Sequence, residues 1–233
     1  MVTKRVPSHM AENEADRARK TERQAADDGT EKAEDAVEDA AAERAPRRNV
    51  HTANSMGRLL SFAAMIHARD IRVIVSDVDG VWTDGKIIYA GDRSEVKEFN
   101  VRDGLGVKLA QRAGLTIVLL TSRSSPALAC RAKELGITEL HQGVANKLSV
   151  CEKILQTLSA SFEQTLYIGD DLPDLAPMLR AGLSAAPADA SPEVLRAATW
   201  KLDARGGRGA FRELVERLLR ERGEWEGVVK GFE

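Results

Sequence analysis

Residues 71–99 read IRVIVSDVDGVWTDGKIIYAGDRSEVKEF. The run IRVIVS at 71–76 is short, apolar and rich in branched side chains, as suits a strand buried on both faces. Three carboxylates, Asp77, Asp79 and Asp84, follow it within eight residues. Like charges that close repel, so negative charge at the end of a core strand calls for a compensating group. Beyond it, two strand-like pieces around the turn signal Gly91-Asp92 predict a β-hairpin over 86–99.

The strand signal recurs in LTIVLL (115–120), ITELH (137–141) and TLYIG (165–169). Helical stretches near 103–112, 124–135, 145–158 and 171–180 separate these runs. Weaker strands are expected at 183–186 and 199–202. FRELVERLLR (211–220) has the clearest amphipathic stripe, formed by Phe211, Leu214, Val215, Leu218 and Leu219. Repeated βα units predict an α/β fold: a doubly wound, mainly parallel sheet with helices on both faces, a projecting hairpin and no cap domain.

Upstream, SMGRLLSFAAMIHARD (55–70) suits a helix with Ser55 as N-cap. Residues 11–48 are almost all Ala, Glu, Asp, Arg and Lys, with Val37 the only large apolar side chain. Such a segment cannot bury enough surface to offset its ordering entropy. The expected organisation is a disordered or partly helical arm over 1–50, a folded domain over 51–222 and a disordered tail over 223–233.

A net charge of -2 in 233 residues argues against a nucleic-acid partner. The longest apolar runs are too short to cross a bilayer, and no apolar secretory core follows Lys4 and Arg5. Cys130 and Cys151 form no CxxC and fall in predicted helices, so both are expected to be reduced core thiols of a cytoplasmic protein.

In parallel α/β folds, sites form outside the carboxyl ends of strands. The first strand delivers Asp77 and Asp79 there. LTIVLL delivers Thr121, Ser122 and Arg123, Lys147 opens the 145–158 helix, and TLYIG delivers Asp170, Asp171 and Asp174. Taken singly, these residues have plain structural explanations: a turn, a helix cap, a surface lysine, acids at a helix N-terminus. Their joint arrival at strand ends points to a site. Oxygen ligands without a His or Cys cluster favour a hard cation such as Mg²⁺, which removes the repulsion between Asp77 and Asp170 and gathers phosphate oxygens. Asp77 then stands beside phosphate as a nucleophile, and Asp79 is offset enough to act as acid and base. Thr121 and the Ser122 backbone N–H can hold a phosphoryl oxygen, while Lys147 balances charge.

DVDGVWTDG, LLTSR, NK and GDDLPD, in that order, resemble the haloacid-dehalogenase superfamily of phosphohydrolases. KEFNVRDGLGVKLAQRAG, ELGITELHQGVANKL and GGRGAFREL resemble, within it, the family of 3-deoxy-D-manno-octulosonate 8-phosphate phosphatases, over about residues 58–220. The resemblance implies a Rossmann-like fold and an enzyme of lipopolysaccharide precursor synthesis that forms an aspartyl-phosphate on Asp77. It implies that Asp79 protonates the leaving sugar oxygen and then activates water. Mg²⁺ would be held by the Asp77 carboxylate, the Asp79 backbone carbonyl and Asp170, with Asp171 or Asp174 supporting from behind. It further implies a homotetramer whose hairpins close neighbouring sites, with Arg208, and less strongly Arg102, contacting the substrate carboxylate. Trp82 stands where the family usually has a smaller aliphatic residue, and Ser122 where Gly is common. Trp82 is expected under the hairpin, or else narrowing the sugar site.

Three other readings stay open: the same chemistry on a nine-carbon keto-deoxy sugar acid 9-phosphate of the sialic-acid type, a catalytically silent scaffold of the same fold, and a phosphorylatable receiver. The receiver fits poorly, because LTIVLL and ITELH end without an Asp acceptor.

Overall fold

The structure is a computed structural model that describes residues 67–92 and 94–232. The arm expected over 1–50, and the helix expected from Ser55 as far as residue 66, lie outside the described residues. All described residues belong to the unit Ala63–Glu233. Six strands form one wholly parallel sheet: β1 (Val73–Ser76), β4 (Thr116–Leu120), β5 (Glu139–His141), β6 (Thr165–Ile168), β7 (Leu183–Ala186) and β8 (Trp200–Lys201). Their spatial order is β5-β4-β1-β6-β7-β8. The expected hairpin is a separate antiparallel pair, β2 (Ile88–Tyr89) with β3 (Glu95–Val96).

The helices are α1 (Val101–Arg112), α2 (Pro126–Leu135), α3 (Lys147–Thr157), α4 (Leu175–Arg180), α5 (Pro192–Ala197), α6 (Ala210–Arg222) and α7 (Trp225–Val229). The helix expected over 171–180 is divided: Leu172–Asp174 is a 3-10 turn containing Pro173, and only then does α4 begin. The expected disordered tail is also corrected. α7 and the turn after it pack back, with the Arg220 guanidinium 4.6 Å from the Trp225 ring centroid and Arg112 4.3 Å from that of Phe232. Scattered aromatics without an apolar stripe gave no helix signal, yet each meets a cation here.

The sheet separates two cores. Successive β1 side chains point to opposite faces, so Ile74 joins one core with Phe211, Leu214 and Leu218 of α6. Val73 and Val75 join the other with Tyr167, Cys151 and Met178. Burial on both faces explains why the strands read as continuous apolar runs. Asp103, near the start of α1, fastens the start of α6 by accepting the Arg212 backbone N–H at 2.8 Å. Of the two thiols, Cys151 is buried and Cys130 is exposed, which corrects the expectation that both are core residues. No described helix is long and apolar enough to cross a membrane.

Candidate active site

The sheet order puts the site where the chain changes direction. From β1 the chain builds outward through β4 and β5, then returns to the other side of β1 with β6. The crevice at such a switch point, outside the strands' carboxyl ends, is where α/β sheets bind ligands. Ser76 and Ile168 are level across the β1–β6 pair, and the Asp77 N–H donates to the Ile168 carbonyl at 2.9 Å. Asp77 and Asp170 therefore emerge side by side.

Gly80 and Gly169 make room for the acids. A Cβ on Gly80, whose φ is +92°, would lie 2.0 Å from Asp170 Oδ2. One on Gly169 would lie 2.3 Å from the Asp174 carboxyl carbon.

Lys147 opens α3, whose N-cap Asn146 accepts the Ser149 N–H at 3.0 Å. Its ammonium lies 2.8 Å from Asp77 Oδ1 and 2.7 Å from Asp174 Oδ1, with the side chain only 4% exposed. It is therefore no solvated surface lysine. Asp174 Oδ1 also accepts the Tyr167 hydroxyl at 2.7 Å, and its Oδ2 faces the Asp170 N–H at 3.3 Å. Both Asp174 oxygens are thus occupied by donors, which leaves Asp77 and Asp170 with acceptor capacity to spare. Carboxylate oxygens of Asp77, Asp170 and Asp174 all lie within 4.8 Å of one another. This oxygen-only set suits Mg²⁺ in number, hardness and charge.

The electrostatics of the acids favour added positive charge. Burial, then Asp174, push the Asp77 carboxyl up to about 6, against the pull of Lys147. Burial, then Asp77 and Asp174, push Asp170 up to about 8. Burial acts to lower the Lys147 ammonium, but Asp77 and Asp174 outweigh it and hold it above its ordinary value. Burial also raises the Tyr167 phenol well above its usual range, with Asp174 adding to the effect. One ammonium among two buried carboxylates and a part-buried one leaves an excess of negative charge, which protons or a divalent cation can offset.

Thr121 is buried at the end of β4, and its hydroxyl accepts the Arg123 N–H at 3.2 Å. Ser122, beside it, is exposed. Asp79 faces a different set of partners. Lys97, one residue beyond β3, is hydrogen-bonded to Asp79 Oδ1, and Arg123 Nε approaches Asp79 Oδ2 at 4.0 Å. Glu95 joins this group, 2.7 Å from Arg123 Nη2 and 3.6 Å from Lys97 Nζ.

Three expected residues stay apart from these clusters. Arg102 and Arg208 are exposed, and Arg208 lies near enough to Asp84 to add to the lowering of that carboxyl by its hydrogen bonds from Lys86. Asp171 is exposed, so Asp174 alone of the pair reaches Lys147. The GGRG loop itself touches the loop after β1, where Gly207 N–H donates to the Val81 carbonyl at 2.9 Å. Trp82 lies in the loop after β1 with its side chain turned into the core. It is buried with its ring centroid 4.6 Å from that of Phe211, and its indole N–H donates to Ser76 Oγ at 2.9 Å.

Sequence reasoning missed Lys97, Glu95 and Tyr167. A signal for the first two was present: alternation along EVKEF places residues 95, 97 and 99 on one face. Tyr167 gave a weaker one, as a buried tyrosine needs a partner for its hydroxyl.

Residues 116–209 match the haloacid dehalogenase-like hydrolase family. A 3-deoxy-D-manno-octulosonate 8-phosphate phosphatase of Yersinia pestis is 42% identical over 162 residues, covering 70% of this chain and 87% of that protein. The phosphatase of that name from Moraxella catarrhalis, solved with magnesium, phosphate and 3-deoxy-D-manno-octulosonate, superposes with a TM-score of 0.70 at 34% identity. That match covers 71% of this chain and 95% of the other. A cobalt-bound phosphatase from Haemophilus influenzae matches at 0.68 and 37% identity, over 71% and 98% of the two chains. The chain belongs to the haloacid dehalogenase-like hydrolases. Within them, its relatives are phosphatases of an eight-carbon sugar acid phosphate.

Proposed function

We propose that this phosphoric monoester hydrolase converts 3-deoxy-D-manno-octulosonate 8-phosphate to the free sugar acid and phosphate, in lipopolysaccharide precursor synthesis. The observation that carries the reading is Asp77. It is held at 2.8 Å by a buried Lys147, beside Asp170, at the end of β1, in a chain 42% identical to a phosphatase named for this sugar phosphate.

An Asp77 carboxylate oxygen attacks phosphorus, forming an aspartyl-phosphate as the bond from phosphorus to the sugar oxygen breaks. Asp79 gives its proton to that oxygen. It then takes a proton from water, whose oxygen attacks phosphorus and releases phosphate from Asp77. Lys147 holds Asp77 in line and offsets charge, and Asp174 and Tyr167 hold Lys147. Thr121 and the backbone N–H of Ser122 bind phosphoryl oxygens. The Asp77 and Asp170 carboxylates and the Asp79 carbonyl would hold Mg²⁺, which when bound neutralises phosphate charge. Several convergent charges suit a reaction whose enzymatic acceleration reaches ~10²¹.

The working assembly in this reading is a homotetramer in the cytoplasm. Its support is the hairpin, where Ile88 and Val96 face each other in register and are 43% and 45% exposed. Val101 and Leu105 of α1 are exposed apolar side chains as well. An isolated two-stranded hairpin is marginal in water, and a second subunit supplies what it lacks. Arg102 and Arg208, exposed in one subunit, are then free to meet substrate at a neighbour's site.

Phosphate release from eight-carbon 8-phosphate and nine-carbon 9-phosphate sugar acids, with Mg²⁺ and with chelator, tests the assignment. The expected result is a higher kcat/KM on the eight-carbon substrate and no turnover in chelator. Equal or reversed preference rejects the substrate, and silence on both rejects the enzyme.

A further inference from the structure

The geometry points to Lys97 as a positioning residue for Asp79, an inference that rests on the reading of Asp79 as acid and base. Residues 95–99 alternate strictly, with Glu95, Lys97 and Phe99 turned inward and Val96 and Glu98 outward. Phe99 packs against the core and anchors the end of this segment. The Lys97 side chain is 2% exposed, although it lies on a hairpin whose other face is open to solvent. Burying an ammonium is costly unless it is paired. Lys97 is paired twice, with Asp79 Oδ1 and with Glu95 Oε1.

The Asp79 carboxylate is thereby used asymmetrically. Oδ1 is hydrogen-bonded to Lys97, while Oδ2 is buried without a hydrogen-bond partner, and Arg123 Nε, 4.0 Å from it, is also without one. A carboxylate held by one oxygen cannot swing freely, so the other points in a fixed direction. In this arrangement Oδ2 is the oxygen that exchanges the proton with the substrate. Glu95 closes the network by tying Arg123, on the loop after β4, to the same strand end. The hairpin therefore joins the loops after β1 and β4 within its own subunit, a task separate from covering a neighbour. Displacement of a reacting group by about 1 Å can cost on the order of 10²-fold in rate.

The test compares kcat/KM on two substrates, since this parameter covers the steps up to cleavage of the ester bond. The sugar phosphate needs a proton on its leaving oxygen, whereas p-nitrophenyl phosphate releases a phenolate that does not. Lys97→Met should lower kcat/KM on the sugar phosphate about 10²-fold and on the aryl phosphate less than about 3-fold. Lys97→Gln, which restores a donor to the slot, should recover part of the loss. Added to Asp79→Asn, Lys97→Met should bring no further selective loss. Equal loss on both substrates in a folded variant assigns Lys97 to structure and overturns the inference. If neither variant folds, Lys97 is a folding residue and the inference is likewise rejected. Asp79→Asn separates this failure from that of the underlying reading. If that variant shows no selective loss on the sugar phosphate, Asp79 is not the acid. If it does and folded Lys97→Met does not, only the positioning role falls.

Discussion

Asp77 and Asp79 stand two residues apart, yet their carboxylates are held by different parts of the molecule. Asp77 belongs to the sheet: its backbone is bonded to β6 and its side chain to the buried Lys147. Asp79 belongs to the hairpin, through Lys97 and Glu95, and the hairpin has one inward row of side chains and an exposed apolar face. The sheet-borne half is preformed and short of positive charge. The hairpin-borne half has its charges matched and is short of a packing surface. A cation would answer the first shortage, and in the proposed assembly a neighbouring subunit answers the second.

The sharpest way to break this comparison is Asp77→Asn. Removing the proposed nucleophile should lower kcat on the order of 10⁴-fold or more. The same change removes one of three crowded carboxylates, so stability in chelator should hold or rise. Loss of folding together with activity would place Asp77 among the structural groups and weaken the claim that the sheet-borne half is electrostatically strained.

Magnesium tests that strain more directly. Asp77 and Asp170 have folded values raised to about 6 and about 8, so folding favours their protonated forms. Their contribution to metal-free stability is full below the ordinary carboxylate range near 4. It is lost as pH rises through about 6 and then about 8. A cation takes over from the protons, so the rise in Tm on adding Mg²⁺ should grow between pH 5 and pH 8.5. At a hundredfold excess over Kd, linkage gives about 2.7 kcal/mol, or roughly 5–10 °C for a domain of this size. An equal rise at both pH values would show that Mg²⁺ does not replace those protons.

The hairpin-borne half is tested by Ile88→Asp. It puts a charge on the exposed face opposite Val96, far from the Lys97 side. Each large apolar side chain buried between subunits is worth about 1.5–3 kcal/mol. The variant should therefore elute as a smaller species and lose activity on the sugar phosphate, with the Tm of the separated subunit nearly unchanged. An unchanged mass on sizing would remove the neighbouring subunit from the account.

The two halves also differed in how far the sequence disclosed them. Six strands, their parallel arrangement and the placing of Asp77, Asp170 and Lys147 were legible because burial on two faces leaves continuous apolar runs, and strand ends have a fixed functional geometry. The hairpin was legible as a turn signal, but its inward row was not. Lys97 is charged, and a buried charge reads as solvated until its partners, Asp79 eighteen residues before it and Arg123 well after it, are brought together in space. Division of the 171–180 helix escaped for a related reason. The last part of GDDLPD turns Asp174 inward to Lys147 and Tyr167, a tertiary demand that helical periodicity cannot register.

Trp82 sits at the seam of the two halves and offers the smallest and most selective test. Its position in the loop after Asp79 suggests influence over the sugar, yet its ring is buried on Phe211 and its N–H is given to Ser76. Ser76 Oγ in turn donates to the Asp77 carbonyl at 2.6 Å, so the indole steadies the strand end from the core side. Trp82→Phe keeps an aromatic ring on Phe211 and deletes one buried hydrogen bond, worth about 1 kcal/mol. Stability should fall by about that amount while kcat/KM on eight- and nine-carbon substrates keeps its ratio. A changed ratio with unchanged stability would return Trp82 to the sugar site and give the loop after β1 a part in selecting the substrate.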